Sequence, residues 1–283
     1  MSEKTFATHE TAWCPGCGNF SILNCLKTAL EELGKDPYEV LMVAGIGQAA
    51  KTPQYLSANF FCGLHGRALP AAVAAKIANE KLTVIVNTGD GDSYGEGGNH
   101  FLHNMRRNVD ITHFVHDNQI YGLTKGQASP TTLEGMVTGV QAEGSMNTPL
   151  NPVLLAIAAG AGFVGRGFSG QPKHLVALMK EAIQYPGYAL VDIFQPCVSF
   201  NKLNTFAWYQ QHTYLLGEDY DSSDKLKAME KAMEFYDKIP LGVIYREERP
   251  TFHRKHPVLK DGVPLIDQPT DGKTVEKLIR EAV

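Results

Sequence analysis

The sequence lacks the features that would place it among membrane, secreted or nucleic-acid-binding proteins. No apolar run reaches the length of a bilayer span, and the N-terminal residues 1–5 contain no apolar signal segment. The formal net charge is −4, so there is no basic excess for nucleic acid or anionic lipid. Five cysteines, an odd number, favour metal or redox chemistry over a disulfide framework in a chain without an export signal. We therefore expect a cytoplasmic protein with neither nucleic acid nor membrane as a partner.

Strand-like and helix-like segments alternate through the first two thirds of the chain. This alternation predicts an α/β fold with a doubly wound, mostly parallel sheet covered on both faces. The predicted strands are 40–44, 82–86, 111–115, 163–166 and 189–194, and the predicted helices are 19–33, 68–79, 97–108 and 174–184. Residues 124–150 are rich in glycine, serine, threonine and proline, which favours a loop that covers a ligand.

The character of the sequence changes near residue 201. A helix-like segment at 224–238 and a region rich in proline and charge at 245–250 show no strand that would continue the sheet. We therefore expect residues 1–200 to form the domain. Residues 201–283 are expected to form an irregular C-terminal extension that contacts a partner subunit or the flank of the domain.

Polar residues follow two of the predicted strands. Gly89, Asp90, Gly91 and Asp92 follow one strand, and Asn118 follows the next. Because the carboxyl ends of parallel strands meet at one edge of a sheet, Asp90 and Asn118 should lie side by side there. A carboxylate, an amide oxygen and a backbone carbonyl are ligands for Mg²⁺ that also binds a diphosphate, and the glycines admit phosphate close to the backbone.

The spacing of these residues resembles the thiamine-diphosphate signature. The resemblance implies that Asp90, Asn118 and the carbonyl of Ile120 hold Mg²⁺. It also predicts a cofactor-binding set: His65, Gly89, Asp90, Gly91, Asp92, Asn118, Ile120, Gly122, Leu123 and Thr124. His65 belongs to this set because it stands where a helix begins and backbone amides attract anions; its alternative role is that of a hydrogen-bonded histidine at a strand end.

Cys14 and Cys17 form a Cys-x-x-Cys pair, and Cys197 follows the last predicted strand. The pair alone is compatible with a redox dithiol, half of a zinc site or part of an iron–sulfur site. Cys197 should lie at the carboxyl edge of the sheet, near the diphosphate site.

Several motifs together resemble the β subunit of 2-oxoacid:ferredoxin oxidoreductases, in family order over roughly residues 12–205. They are WCPGCGN at 13–19, GIG at 45–47, LHGRALP at 64–70, the stretch 90–118, GLTKGQ at 122–127, SPT at 129–131 and QPC at 195–197. The resemblance implies a 4Fe–4S cluster beside the thiamine, held by four cysteines. Cys14, Cys17 and Cys197 match three of those positions.

The chain departs from the family pattern at Gln48, where the family usually has cysteine after Gly-Ile-Gly. An amide oxygen is a poor ligand for a soft iron–sulfide cube. The alternatives are that Cys62 replaces the missing ligand, that a non-cysteine ligand is retained, that one iron is lost, or that the cluster is absent. We expect a cluster to be bound. Cys25 is expected to be a core residue.

Two lysines are candidates for the substrate pocket. Lys51 follows the Gly-Ile-Gly loop, and Lys125 follows Leu123, itself a candidate pocket residue, and Thr124. Either ammonium could pair with the distal carboxylate of a dicarboxylic substrate, although most lysines are simply solvated. Family members that accept 2-oxoglutarate resemble this chain in carrying a lysine after the Gly-Ile-Gly loop, where this chain has Lys51. A substrate like 2-oxoglutarate is therefore favoured.

The resemblance implies CoA-dependent oxidative decarboxylation of a 2-oxoacid, with electrons passing through the cluster to ferredoxin. No segment resembles the pyrimidine-binding half of a thiamine enzyme, and 283 residues leave no room for it. Activity should therefore require a larger α subunit, with γ and ferredoxin-like δ subunits as further candidate partners. Two alternatives remain: a cluster-free thiamine-dependent decarboxylase or carboligase subunit, and a non-catalytic subunit whose Cys-x-x-Cys pair holds zinc.

Overall fold

An eight-stranded sheet forms the centre of the protein, in a computed structural model that describes residues 5–269 and 271–282. In spatial order the strands run β2-β1-β3-β4-β6-β5-β8-β7. All neighbouring pairs are parallel except β5 and β8, which are antiparallel. The strands are β1 Val40–Ala44, β2 Asn59–Cys62, β3 Thr83–Gly89, β4 Ile111–Asp117, β5 Phe163–Phe168, β6 Tyr188–Phe194, β7 Thr213–Leu215 and β8 Ile239–Arg246.

Helices cover both faces of the sheet, as the alternating sequence pattern predicted. On one face α1 packs against α5, and on the other α2, α3, α4 and α7 pack over the strands. The helices are α1 Asn19–Glu32, α2 Ala68–Ala78, α3 Gly98–Arg107, α4 Pro152–Ala158, α5 Pro172–Gln184, α6 Phe206–His212, α7 Lys225–Met233, α8 Phe252–Lys255 and α9 Gly272–Ala282. The prediction of a doubly wound, mostly parallel α/β fold is confirmed.

The expectation that the sheet ends before residue 201 is wrong, because β7 and β8 extend it. Strand β8 pairs with β5, and its register shifts by a bulge between Val164 and Gly165. Pro240 and Gly242 interrupt the strand-like pattern of β8, and Gly242 has a φ of +133°, which explains why the sequence did not indicate a strand. The helix expected at 224–238 is α7, which ends at Met233. The extension therefore contributes to the domain's own sheet.

Residues 124–150 contain no helix, and the segment carries only one end of an isolated bridge, between Tyr121 and Gln127. The segment folds back over the carboxyl edge of the sheet, where Ser129, Thr131 and Thr132 are buried. Within the described part of the chain, no helix combines the length and the apolarity needed to cross a membrane.

Candidate active site

The carboxyl ends of β3 and β4 place Asp90 and Asn118 beside each other. The two strands are adjacent and parallel, with Gly89 of β3 in register with His116 of β4. Asp90 and Asn118 follow these strands immediately, and both side chains are buried. This edge is where open parallel sheets bind ligands, as the sequence predicted.

The Asp90 carboxylate accepts hydrogen bonds from the covering loop. Its Oδ2 accepts from Ser129 Oγ at 2.5 Å and from Thr131 Oγ1 at 2.7 Å. Burial raises the pKa of Asp90, while these two hydroxyls act in the opposite direction. The sequence does not indicate Ser129 or Thr131 as site residues, although both belong to the SPT motif of the resemblance.

Asn118 is held by hydrogen bonds on both atoms of its amide group. Its Oδ1 accepts from the backbone N–H of Ile120 at 3.0 Å, and its Nδ2 donates to Gln195 Oε1 at 3.0 Å. Gln119, between them, has a φ of +59°, which turns the chain so that Ile120 returns toward the cavity. The Asn118 side chain is thereby fixed with its oxygen at the edge of the sheet.

A cavity of about 60 Å³ opens at this edge. Every residue predicted to contact the cofactor lines it, together with Tyr121 and the segment from Ile46 to Ala49. The Asp90 carboxylate, the Asn118 amide and Ile120 therefore surround one space. Such oxygen donors suit Mg²⁺, and a divalent cation would compensate a carboxylate whose pKa burial raises. The residues fit a magnesium–diphosphate group.

Asp92 holds two loops of the cavity wall together. Its Oδ1 accepts from the backbone N–H groups of Ile46 at 3.2 Å and Gly66 at 2.7 Å, and it lies 3.1 Å from His65 Nδ1. A Cβ on Gly45 would come within 2.3 Å of Asp92 Oδ2, so glycine is required for this close approach. The imidazole of His65 is thereby kept at the cavity, also within 3.2 Å of Glu96 Oε2.

Lys51 and Lys125 do not line the cavity, although each closely follows a lining residue in the sequence. Lys51 is half-buried in the 3₁₀ helix Ala49–Gln54, and Lys125 is exposed with a φ of +74°. Leu123, between the cofactor edge and Lys125, lines the cavity and is 43% exposed. The structure thus brings Leu123 to the site and leaves both lysines outside its lining.

Cys14, Cys17 and Cys197 line a second cavity, of about 40 Å³. A turn brings the first two together, with Cys17 N donating to Cys14 O at 3.0 Å, and Gly18 N donates to Pro196 O at 3.4 Å beside Cys197. Gln48 also lines this cavity. The three predicted cysteine ligands therefore surround one space. Gln48, at which the chain departs from the family pattern, lies in its wall.

The surroundings of Cys17 disfavour an uncompensated thiolate. Burial, with smaller contributions from the neighbouring Cys197 and Cys14, raises the pKa of Cys17 to about 11. Three soft ligands around one cavity fit an iron–sulfur group. Among the described residues, no group of three or more His, Cys, Asp or Glu is placed to hold a single metal ion. A 4Fe–4S cluster is held by several thiolates around its cube, so they need not meet at one point.

The remaining cysteines lie elsewhere. Cys62 is exposed on β2 and lines neither cavity. Cys25 is buried in the core of α1, with Sγ 3.6 Å from the Pro172 carbonyl oxygen, as expected for a core residue.

The two cavities adjoin each other. Gln48, Asn118 and Gly122 line both of them. The cysteine cavity and the predicted diphosphate site therefore share part of their walls.

Comparison with known proteins identifies the family. Residues 40–193 match the model of the C-terminal TPP-binding domain of thiamine pyrophosphate enzymes, and residues 197–261 match the C-terminal region of the pyruvate ferredoxin oxidoreductase beta subunit. The chain is 45% identical to the 2-oxoacid:ferredoxin oxidoreductase subunit beta of Saccharolobus solfataricus, over 93% of this chain and 90% of that protein. It is 36% identical to the 2-oxoglutarate synthase subunit KorB of Methanocaldococcus jannaschii, over 85% of this chain and 89% of the relative.

A solved structure shows the same architecture. The 2-oxoglutarate:ferredoxin oxidoreductase from Magnetococcus marinus, with 2-oxoglutarate, coenzyme A and succinyl-CoA bound, matches with a TM-score of 0.90 and 36% identity. The match covers 100% of this chain and 97% of the other. Together with the sequence relatives, it confirms the resemblance seen in the motifs. The chain belongs to the family of 2-oxoacid:ferredoxin oxidoreductase β subunits.

Proposed function

We propose that this chain is the thiamine-diphosphate-binding β subunit of an enzyme that oxidatively decarboxylates a 2-oxoacid, with coenzyme A as acyl acceptor and ferredoxin as electron acceptor. The observation that carries the proposal is the adjacency of the two cavities, one with oxygen donors and one with three thiols, which share Gln48, Asn118 and Gly122. An oxidoreductase of this kind needs its carbon chemistry and its electron acceptor side by side.

Asp90, Asn118 and the Ile120 carbonyl would hold Mg²⁺, and the glycine-lined edge from Gly89 to Gly91 would receive the diphosphate. When bound, thiamine diphosphate would supply a nucleophilic carbon and an electron sink for decarboxylation of the 2-oxoacid. The chain's own part is to fix the metal ligands. Ser129 and Thr131 orient the Asp90 carboxylate, and Gln195 orients the Asn118 amide.

Cys14, Cys17 and Cys197 would hold the iron–sulfur cluster, which supplies a one-electron acceptor next to the cofactor. Gln195 connects the two sites, since its Oε1 accepts from Asn118 and its Nε2 lies 3.4 Å from Cys17 Sγ. A hydrogen bond to a ligating sulfur stabilises the thiolate form and adjusts the potential of a cluster.

A larger α subunit would complete the site. Ile46 and Leu123 at the cavity and Leu64 beside it are 40%, 43% and 75% exposed, and exposed apolar residues around a site indicate a surface that a partner covers. The isolated chain should therefore show no 2-oxoacid decarboxylation, whereas the complex should. The contact of residues 201–283 with a partner, and the γ and ferredoxin-like δ subunits, stay predictions that native mass spectrometry of the purified complex would test.

The favoured substrate is a dicarboxylic 2-oxoacid such as 2-oxoglutarate. The relatives from Methanocaldococcus jannaschii and Magnetococcus marinus carry 2-oxoglutarate in their names, and Lys51 and Lys125 closely follow residues that line the cavity. Lys51→Met and Lys125→Met should each be tested in the complex. A lysine that pairs with the distal carboxylate would, when replaced, raise KM for 2-oxoglutarate and leave KM for pyruvate unchanged. Equal effects on both substrates would exclude this role.

The deciding experiment is electron paramagnetic resonance of the purified complex, as isolated and after dithionite, with iron, sulfide and thiamine measured per chain. A reduced cluster signal from this subunit, together with 2-oxoacid-dependent reduction of ferredoxin, would support the proposal. A complex with thiamine and no iron in this subunit would instead favour a cluster-free decarboxylase or carboligase, the alternative that Gln48 raises. A complex that does not bind Mg–thiamine diphosphate would overturn both functions.

A further inference from the structure

Gln48 carries a buried oxygen that has no hydrogen-bond partner in the described structure. The residue precedes the 3₁₀ helix Ala49–Gln54, and its backbone carbonyl accepts from Trp13 Nε1 at 2.9 Å, which fixes its main chain. Leaving a buried acceptor unpaired costs about 1–3 kcal/mol. A hydrogen-bond donor or a cation in the cysteine cavity, which Gln48 lines, would remove this cost.

Two of the amide groups in the walls of that space already have hydrogen-bond partners, whereas Nδ2 of Asn19, which also lines the cavity, has none among the described residues. The Asn118 amide donates to Gln195 Oε1, and Gln195 Nε2 donates to the Pro196 carbonyl oxygen and to Cys17 Sγ. Gly122 separates Gln48 from Cys197: a Cβ there would lie 3.9 Å from Gln48 Cγ and 4.0 Å from Cys197 Sγ. Gln48 thus lines the same cavity as the thiols, at the side shared with the diphosphate site.

No fourth cysteine of the described chain reaches this cavity. Cys62 is exposed on β2, with Gln54 Nε2 at 4.0 Å from its sulfur, and Cys25 is buried beneath Pro172. The cavity offers three thiols and one amide oxygen.

We infer that the cluster of the proposed function is held by three thiolates, from Cys14, Cys17 and Cys197, and that its fourth iron is bound weakly by Gln48 Oε1 and can be removed. The inference rests on the proposed function, because it needs the cluster to be present. An oxygen ligand binds iron of a sulfide cube more weakly than thiolate does, so this iron is the one that leaves first.

Oxidation of the cluster detects such a weakly bound iron. Ferricyanide takes one electron from the 4Fe–4S cluster in its 2+ state. One Fe²⁺ then leaves, and a 3Fe–4S cluster in its 1+ state remains with all four sulfides. Adding Fe²⁺ and dithionite returns the iron and the electron.

The experiment compares three forms of the complete complex under anaerobic conditions: wild type, Gln48→Cys and Gln54→Ala. Gln54 is an exposed glutamine of the same short helix and lines neither cavity, so its replacement controls for general damage to this segment. Each form is treated with ferricyanide, and paramagnetic resonance, iron and sulfide are then measured per chain. Binding of Mg–thiamine diphosphate is measured in parallel.

We expect the wild type and Gln54→Ala to lose one iron from this subunit and to gain the signal of a three-iron cluster, which Fe²⁺ and dithionite reverse. Gln48→Cys should retain all its iron under the same treatment. A wild-type cluster as resistant as that of Gln48→Cys would overturn the inference. A wild-type subunit without iron, a complex that does not bind Mg–thiamine diphosphate, or one that reduces ferredoxin with no 2-oxoacid would identify a failure of the proposed function instead.

Discussion

Asp90 and Asp117 share a single hydroxyl group. Thr131 Oγ1 lies 2.7 Å from Asp90 Oδ2 and 2.8 Å from Asp117 Oδ1. A hydroxyl has one hydrogen and can donate to only one of them, so the other contact requires a proton on a carboxyl group. Asp90 also accepts from Ser129, whereas burial and the charges of Asp192 and Asp90 raise the pKa of Asp117 well above its usual range. Asp117 is therefore the carboxyl group that carries the proton.

Replacement of Asp117 by asparagine should make stability less dependent on pH. The folded chain holds Asp117 protonated. The contribution of Asp117 to the free energy of unfolding is therefore complete below the ordinary pKa of 3.8 and is lost as pH rises toward the raised pKa. The metal-free Asp117→Asn variant should gain stability relative to wild type across that range, by up to about 1.4 kcal/mol per pH unit. Urea unfolding from pH 4 to pH 8 measures the difference.

The exposed Asp237→Asn serves as the control for Asp117→Asn and should keep the pH dependence of the wild type. A constant difference between Asp117→Asn and wild type at every pH would show that Asp117 is ionised in the folded chain.

Thr131→Val should weaken magnesium binding without removing a ligand. The valine keeps the size of the side chain but cannot orient the Asp90 carboxylate. Loss of such an outer hydrogen bond costs roughly 10–100-fold in metal affinity. Calorimetric titration of the complex with Mg²⁺, at saturating thiamine diphosphate, measures the change. Thr138→Val, in the same loop but bonded to Gln141, should leave the affinity unchanged. Equal affinities for all three proteins would mean that Thr131 has no part in placing Asp90.

The sequence predicted the parts of the site that follow from strand ends. Asp90 and Asn118 could be placed together because each follows a buried strand, and the order of parallel strands brings such positions to one edge. Ser129 and Thr131 could not be placed, because a loop without periodicity does not show which carboxylate its hydroxyls will meet. Their contact with Asp90 depends on how residues 124–150 fold back.

Two features of the sheet were not predicted from the sequence. Strand β8 was missed because Pro240 and Gly242 interrupt its pattern, although it fits beside the glycine-containing strand β5. In the sequence Arg166 looks like an ordinary strand residue. Its register opposite Asp192 on the neighbouring strand follows only from the pairing of β5 with β6.

Gly91→Ala should disturb the cavity, whereas Gly98→Ala should not. A Cβ at Gly91 would lie 2.1 Å from Tyr121 Cε1, so the ring that lines the cavity would have to move. A Cβ at Gly98, the first residue of α3, meets no atom within 4 Å. We expect Gly91→Ala to lose about 1–3 kcal/mol of stability and to bind Mg–thiamine diphosphate more weakly. Thermal unfolding with and without the cofactor compares the two variants. Equal unfolding temperatures would show that the Tyr121 ring can move without loss of stability.

Arg166 is a fully buried cation whose three guanidinium nitrogens have no hydrogen-bond partner among the described residues. It lies 5.8 Å and 5.4 Å from the ring centres of Phe194 and Phe235. Burial raises the pKa of Asp192 to about 6, and the charge of Arg166 opposes that rise. The arginine is therefore the counterion that limits the cost of ionising Asp192.

Arg166→Met should destabilise the chain more at pH 8 than at pH 5. Because its pKa is raised, Asp192 contributes fully to the stability of the folded chain below pH 3.8. That contribution is lost as pH rises through about 6. Without Arg166 the pKa rises further, so the loss continues to higher pH. At pH 5 both proteins hold Asp192 mostly protonated. At pH 8 the Asp192 carboxylate lacks the opposing charge of Arg166, so the variant should lose about 1.4 kcal/mol of stability for each pH unit by which the pKa of Asp192 rises further.

Asp192→Asn in the Arg166→Met background should recover much of the stability lost at pH 8, because no buried carboxylate then remains to be ionised at that position. Urea unfolding of wild type, both single variants and the double variant at pH 5 and pH 8 measures the coupling between the two residues. If Arg166→Met cost the same at both pH values and Asp192→Asn gave no recovery, the arginine would act through its packing against Phe194 and Phe235 rather than through its charge.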